Sequence, residues 1–288
     1  MILVVGLSPA WQRSLEFGEF AVGRVNRAQR VRETASGKGV NVARVARQLG
    51  ADVRLLTVAG GHRGKLLVDS IRSQKLASHI VPVEAETRFC QTLLGGGTIT
   101  ELVEEAGGLR VHEVAQILSA FEAEVRRARL VVLTGTVPPG CGNNFYARLI
   151  RRARAVGVPV LVDAQVRQLA NAVRAEPFLV RINRDEFAAV PKLDRAGVAW
   201  FVVSDGARPV SVTHGGETFR LKPPRVKALN SVGSGDAMMA GIAYGLWRGK
   251  SMREAVRLGI ACGAANALTE TPGIVRRPDV KKLLRQIG

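Results

Sequence analysis

The sequence predicts an α/β fold, a mostly parallel sheet covered by helices on both faces. Two patterns lead there. Short apolar runs recur at 2-ILVV-5, 53-VRLLTV-58, 130-LVVLT-134, 158-VPVLVD-163, 178-FLVRI-182 and 199-AWFVV-203, without the alternation of a half-solvated strand. Helical patterns stand between the later runs, as a parallel sheet with crossover helices requires. The length fits as well: 288 residues with 47% hydrophobic content lie at the upper end of single-domain size, so one core over 1–288 is expected.

Taken in order, the opening MILVVG has no basic stretch before it, and no run approaches the ~20 apolar residues of a membrane span. Residues 8–34 break the strand rhythm. The run 36-SGKGVNVARVARQLG-50 is helical, with Val42, Val45, Ala46 and Leu49 on one face and Asn41, Arg44 and Gln48 turned away from it. Residues 84–106 break the rhythm again with partly polar runs, 87-TRFCQTLL-94 and 98-TITELV-103, around 95-GGG-97. Together 8–34 and 84–106 suggest solvent-facing strands of a small second sheet. In 113–125, Val114, Ile117, Leu118, Phe121 and Val125 share a helical face and leave the glutamates on the other. The helix expected over 143–157 opens on Asn143 and stops at Gly157. The uncharged run AMMAGIAYGL, 237–246, predicts a deeply buried helix.

The formal charge of +18 comes mostly from arginine; only nine of the 42 basic residues are lysine. Nucleic-acid binders concentrate such charge or interleave it with stacking aromatics. Here aromatics are 5% and the arginines are scattered in pairs such as Arg126–Arg127 and Arg151–Arg152. No specific nucleic-acid partner is expected, and the field suits anionic substrates. Cys90, Cys141 and Cys262 are far apart and form no C-x-x-C pair, which points to reduced thiols in a cytoplasmic protein.

Three motifs can carry chemistry. Ser36-Gly37-Lys38-Gly39 sets bare amides and a lysine at a helix start, a natural anion site. It is not a P-loop, because Gly39 follows the lysine where Ser or Thr is required. In 229-LNSVGSGDAMMAG-241, Gly233, Ser234 and Gly235 let the backbone approach a ligand, and three amides at a rigid helix start suit a transferring phosphoryl group. Asp236 in that first turn reads equally as a complement to the helix dipole. In 183-NRDEF-187, Asn183 and Glu186 put an amide and a carboxylate on one face, which suits either hydrated Mg²⁺ or a plain helix cap. Further on, 204-SDGARP-209 ends a strand with Gly206, where a nucleotide could lie at the carboxyl edge of the sheet.

These motifs, with 1-MILVVGLSPAWQRSL-15, 86-ETR-88, 133-LTGTVPPG-140, 163-DAQVRQL-169 and 261-ACGAANA-267, make the whole chain resemble the ribokinase-like carbohydrate kinases. The group is that of phosphofructokinase B, and the nearest pattern is that of 1-phosphofructokinase and tagatose-6-phosphate kinase. The resemblance implies a three-layer ribokinase-like fold with a β-sheet lid (8–34 and 84–106), a homodimer through that lid, and ATP with Mg²⁺ as cofactors. It implies that Asp236 is the catalytic base beside an anion hole made by the amides of Gly233, Ser234 and Gly235. Asn183 and Glu186 would organise Mg²⁺ and the ATP phosphates, Glu186 through water, and Ser204, Gly206 and Asn266 would line the nucleotide. Gln12, Gly37, Lys38, Asn41 and Thr136 would meet the sugar, and Arg88 a phosphate it already carries. The implied reaction is phosphorylation of a ketohexose phosphate, first of all fructose 1-phosphate to fructose 1,6-bisphosphate, then tagatose 6-phosphate or another sugar.

This chain departs from the family pattern at the sugar end. Ser8 and Gln12 stand where Asn and Asp are usual, Ser36-Gly37 where two glycines are, Gly135-Thr136 for Gly-Ser, and Arg181-Ile182-Asn183 for Lys-Pro-Asn. Ser8 and Gln12 motivate the rival reading of a non-catalytic sugar-phosphate-binding protein, against which Asp236, Asn183 and Glu186 speak.

Overall fold

A computed structural model describes residues 1–164, 166–190, 193 and 195–288. Of the stretch 163–169, Gln165 therefore lies outside the described residues.

All six apolar runs are strands of one nine-stranded sheet: β1 (Ile2–Val5), β4 (Val53–Ala59), β8 (Leu130–Gly135), β9 (Val160–Ala164), β10 (Leu179–Asn183) and β11 (Trp200–Asp205). They are joined by β5 (Ser78–Pro82) and by an edge hairpin of β12 (Arg208–His214) and β13 (Glu217–Leu221), which the apolar-run signal does not reveal. The order is β13-β12-β11-β10-β9-β8-β1-β4-β5, parallel from β11 through β5 and antiparallel at β11–β12 and β12–β13. Alternate side chains feed two cores: Ile2 and Val4 pack on one face, Leu3 and Val5 on the other.

The first core is covered by α1 (Lys38–Leu49), α2 (Gly61–Ser73), α7 (Ser234–Trp247), α8 (Met252–Ala267) and α9 (Arg277–Leu284). The second lies under α3 (Val111–Val125), α4 (Phe145–Ala155) and α5 (Val166–Val173), while α6 (Arg184–Ala188) is a single turn after β10. Helix α7 is buried as its composition predicts. It crosses α8 at two glycines: a Cβ on Gly241 would sit 2.7 Å from the Gly259 Cα, so the backbones meet with nothing between them.

Three local expectations are corrected. The polar face of α1 does not point to solvent, since Asn41 and Arg44 are as buried as its valines. Glu113 and Glu124 on α3 are buried as well; the first accepts the backbone N–H groups of Glu84 and Arg110, the second the side chains of Arg54 and His79. In each case internal partners replace water, which apolar periodicity cannot report. Helix α4 starts at Phe145, and its N-cap Asn144 makes no side-chain capping bond.

The second sheet is present as β2 (Ala10–Glu16), β3 (Arg30–Ser36), β6 (Arg88–Gly95) and β7 (Thr98–Val103), in the order β3-β2-β6-β7. Its register sets Ala10 opposite Arg88 and Gln12 opposite Cys90 and Thr34. Among the described residues no helix is long and apolar enough to cross a membrane. The three cysteines are buried and free.

Candidate active site

The carboxyl ends of the parallel strands open into two adjoining cavities, where open α/β sheets bind ligands. The first, about 460 Å³, lies between the strand ends and the small sheet. Gln12, Gly37, Lys38, Asn41, Arg88 and Thr136 line it with Gly233, Gly235 and Asp236. The second, about 570 Å³, lies between the end of β11, residues 223–228 and the packed helices α7 and α8. Ser204, Gly206 and Ser234 line it beside Val210, Pro224 and Ile260. Three residues border both: Arg181, Asn183 and Gly235.

Asp236, 6% exposed, lines the first cavity next to Gly235, which borders both. Its Oδ2 accepts the Asn41 amide at 2.8 Å. Burial pushes its carboxyl up to about 6; Lys38, the Asn41 bond and Arg181 pull against that rise, and the charge of Asp163 adds to it. An ordinary aspartate titrates near 3.9, so this carboxyl is a stronger base than sequence alone leads one to expect.

Behind it runs an ionic chain. Asp163, fully buried at the end of β9, accepts Lys38 Nζ on one oxygen and Arg181 Nη1 on the other, both at 2.9 Å. Arg181 also donates to Ser204 Oγ at 2.6 Å, and Lys38 Nζ stands 3.9 Å from Glu186. Burial alone would raise the Asp163 pKa, but Lys38 and Arg181 outweigh it and hold the carboxylate ionised. Burial likewise opposes the charge on Lys38, and Asp163, Asp236 and Glu186 together overcome it and raise its pKa.

The glycines before Asp236 have separate reasons. Gly233 is the N-cap of α7 with φ 79°, a left-handed conformation that favours glycine. A Cβ on Gly235 would lie 2.6 Å from the Arg181 guanidinium. Of the three amides, that of Ser234 donates to the Ser231 carbonyl at 3.1 Å, while Gly233 and Gly235 line the cavity.

Asn183 and Glu186 form a reciprocal capping box at the start of α6, so the cap reading is realised. It spends only one Glu186 oxygen; the other faces Lys38. Asn266 stands apart from both cavities. It is fully buried, its Nδ2 donates to the Val232 carbonyl and its Oδ1 accepts the Gly273 amide, both at 2.8 Å. It braces the loop before α7, and its Nδ2 also donates at 3.3 Å to Ser234 Oγ, which lines the second cavity. Gln12 Nε2 donates to Thr92 Oγ1 at 2.8 Å. Arg88 donates to the carbonyls of Ser8 and Glu104, and its buried Nε has no partner among the described residues.

Asp163 and Arg181 carry the centre of this arrangement, yet neither was among the expected site residues. A charge interrupting the apolar run 178-FLVRI-182 is the signal that could have found Arg181.

The sequence pattern of the pfkB family carbohydrate kinases matches residues 1–275. The chain belongs to that family. The protein is accordingly an ATP-dependent sugar kinase with a three-layer ribokinase-like fold. A tagatose-6-phosphate kinase of Staphylococcus epidermidis is 27% identical to this kinase over 305 aligned residues, spanning 100% of this chain and 98% of the relative. Among solved structures, phosphofructokinase-2 from Escherichia coli, in complex with substrates and products, superposes with a TM-score of 0.90 at 23% identity, covering 99% of this chain and 98% of that one. A structure described as "Possible 1-phosphofructokinase" from Thermotoga maritima gives 0.89 at 25% identity, covering 100% and 98%.

Proposed function

We propose that this kinase transfers the γ-phosphoryl group of ATP to a hydroxyl of a phosphorylated ketohexose, with fructose 1-phosphate as first acceptor and fructose 1,6-bisphosphate as product. Tagatose 6-phosphate, the substrate named for the Staphylococcus epidermidis relative, is the second choice. The observation that carries the reading is the position of Asp236, a buried carboxyl in the first cavity next to Gly235, which with Arg181 borders both cavities.

The second cavity suits the nucleotide, because its apolar floor fits a base and its open edge reaches Gly206 and the start of α7. The first suits the sugar. Above a pH of about 6, Asp236 is ionised and accepts the proton of the attacking hydroxyl; Asn41 holds the accepting carboxyl group in place. In a loose transition state that proton leaves late, so position counts for more than basicity. The amides of Gly233 and Gly235, helped by Lys38 and Arg181, stabilise the equatorial oxygens of the moving group. Glu186, whose second oxygen is left out of the capping box and stands 3.9 Å from Lys38 Nζ, and Asn183 would hold a hydrated Mg²⁺, a cation that usually keeps several waters and needs few protein ligands. Bound there, the cation neutralises charge on the ATP phosphates.

Arg88 would receive the phosphate the acceptor already carries, since its Nε lacks an acceptor among the described residues and guanidinium matches phosphate in planar pairs. The small sheet acts as the lid, and the residues 8–34 and 84–106 that form it belong to one domain over 1–288. Its face away from the cavity exposes Val31 and Leu102, which supports a homodimer through the lid. Three free thiols and ATP as substrate agree with a cytoplasmic protein.

Coupled ADP release measured with fructose 1-phosphate, tagatose 6-phosphate, fructose 6-phosphate and free fructose tests the proposal. Fructose 1-phosphate is expected to give the highest kcat/KM. ATP binding without turnover of any acceptor would instead favour the sugar-phosphate-binding reading that Ser8 and Gln12 motivate.

A further inference from the structure

Arg44 is 5% exposed and has no carboxylate partner among the described residues. A buried cation is costly unless it is fully hydrogen-bonded, and here every acceptor is neutral. They come from four parts of the molecule. Nε donates to Gln74 Oε1 at 2.6 Å at the end of α2. Nη1 donates to Asn41 Oδ1 at 3.3 Å and to the Pro272 carbonyl at 3.1 Å. Nη2 donates to Thr34 Oγ1 at 3.4 Å and to the Ala35 carbonyl, both on β3. Burial lowers its pKa to about 10, which still leaves it charged at neutral pH.

We propose that Arg44 is a positioning residue that acts on Asp236 through Asn41 and ties the small sheet to the loop capping α7. An asparagine amide can sit either way round, and its neighbours decide which. Arg44 and Ser36 Oγ both occupy Asn41 Oδ1, so only the NH₂ group is left for Asp236. The reversed amide would set NH₂ against a guanidinium and a carbonyl against a carboxylate. On its other side the Asn41 side chain packs against Gly273: a Cβ on Gly273 would meet Asn41 at 2.8 Å. The same turn abuts Gly233, whose own Cβ would lie 3.0 Å from the Gly273 amide. One planar fork thus fixes the donor to Asp236, the turn against the anion hole, and the strand that carries Ser36. Lysine offers the charge but only three donors on a single nitrogen, where Arg44 makes five bonds from three nitrogens of a planar fork.

The proposal rests on the reading of Asp236 as base, and its test separates the two. Asp236 is followed by carboxyl ¹³C NMR against pH, its resonance assigned by its loss in Asp236→Asn; no turnover is needed. The charged groups around it, Lys38, Asp163 and Arg181, are unchanged throughout. Arg44→Lys is expected to move the titration midpoint up by about half to one pH unit, where one unit is a tenfold change in proton affinity. Its kcat should fall about tenfold to a hundredfold, the scale of small misplacements, with the KM for ATP within about twofold. In an Asn41→Ala background the same substitution should add no further shift, because the intermediary is gone. An unmoved midpoint in folded Arg44→Lys, or a shift that persists without Asn41, overturns the proposal. If Arg44→Lys does not fold, Gln74→Met, which leaves Nε unpaired, is expected to raise the midpoint too, and no rise there overturns it equally. A midpoint that moves while Asp236→Asn keeps its turnover leaves Arg44 as proposed and removes the base.

Discussion

The two walls of the first cavity are built differently. On the core side, Asp163, Lys38, Arg181, Ser204, Asn41 and Asp236 are joined by bonds of 2.6–2.9 Å among largely buried side chains. Across from them, β7 has no buried residue at all, and Gln12 answers only to Thr92 within its own sheet. On the proposed function, the phosphoryl-transfer side is held by largely buried charges, whereas the acceptor side hangs on a thin sheet with one solvent face. Rate should therefore be brittle on the first wall, and acceptor choice adjustable on the second.

Asp236→Asn is the sharpest way to break this comparison. Steady-state assays should show kcat reduced by about 10³-fold, within the usual range for a positioned base, with the KM for ATP nearly unchanged. Next comes Asp163→Asn, which strands Lys38 and Arg181 without their buried anion; urea unfolding should register a loss of about 3–5 kcal/mol.

A pH series sharpens the contrast further. With Asp236 titrating at about 6, kcat/KM should climb through that pH and level off above it. The stability effect has the opposite sense. Because the folded pKa lies above the unfolded 3.8, the native state holds the extra proton between those values, and stability falls as pH rises from about 4 to 6. At pH 7 Asp236→Asn should melt higher than the unaltered kinase, by a margin on the order of 1–3 kcal/mol.

On the other wall the effects are milder and confined to the acceptor. Arg88→Gln is expected to raise the KM for a phosphorylated sugar by about 10- to 100-fold, the worth of a charge-assisted hydrogen bond, and to leave free fructose unaffected. Gln12→Asp should alter acceptor KM by less than about tenfold, since it exchanges one hydrogen bond for another. Equal losses from Gln12→Asp and Asp163→Asn would abolish the distinction between the walls.

What could be read in the sequence divides along similar physical lines. Apolar runs report which strands are shielded on both faces, and all six runs are strands of the main sheet. Glycines that strip bulk from a helix start report a close approach, and Gly233-Ser234-Gly235 does line the cavities. Periodicity cannot tell a polar residue that faces water from one that faces an internal partner. That blindness hid the buried face of α1 with Asn41 and Arg44, the glutamates of α3, and the pairing of Asp163 with Arg181 across 18 positions. Asn266 is similar, a fully buried polar residue on α8 whose partners Val232, Ser234 and Gly273 all lie beyond its own helix.

The contact of α7 with α8 extends the vulnerable region well beyond the polar site. Gly241 lies five residues after Asp236, about 7.5 Å along the axis. A single methyl on either Gly241 or Gly259 would wedge the helices apart and swing the end that carries the carboxylate. Inheritance at these two positions is therefore coupled to chemistry that neither touches. On the proposed function, acceptor choice can change by substitution in the small sheet, while a side chain at the crossing needs compensation from both helices.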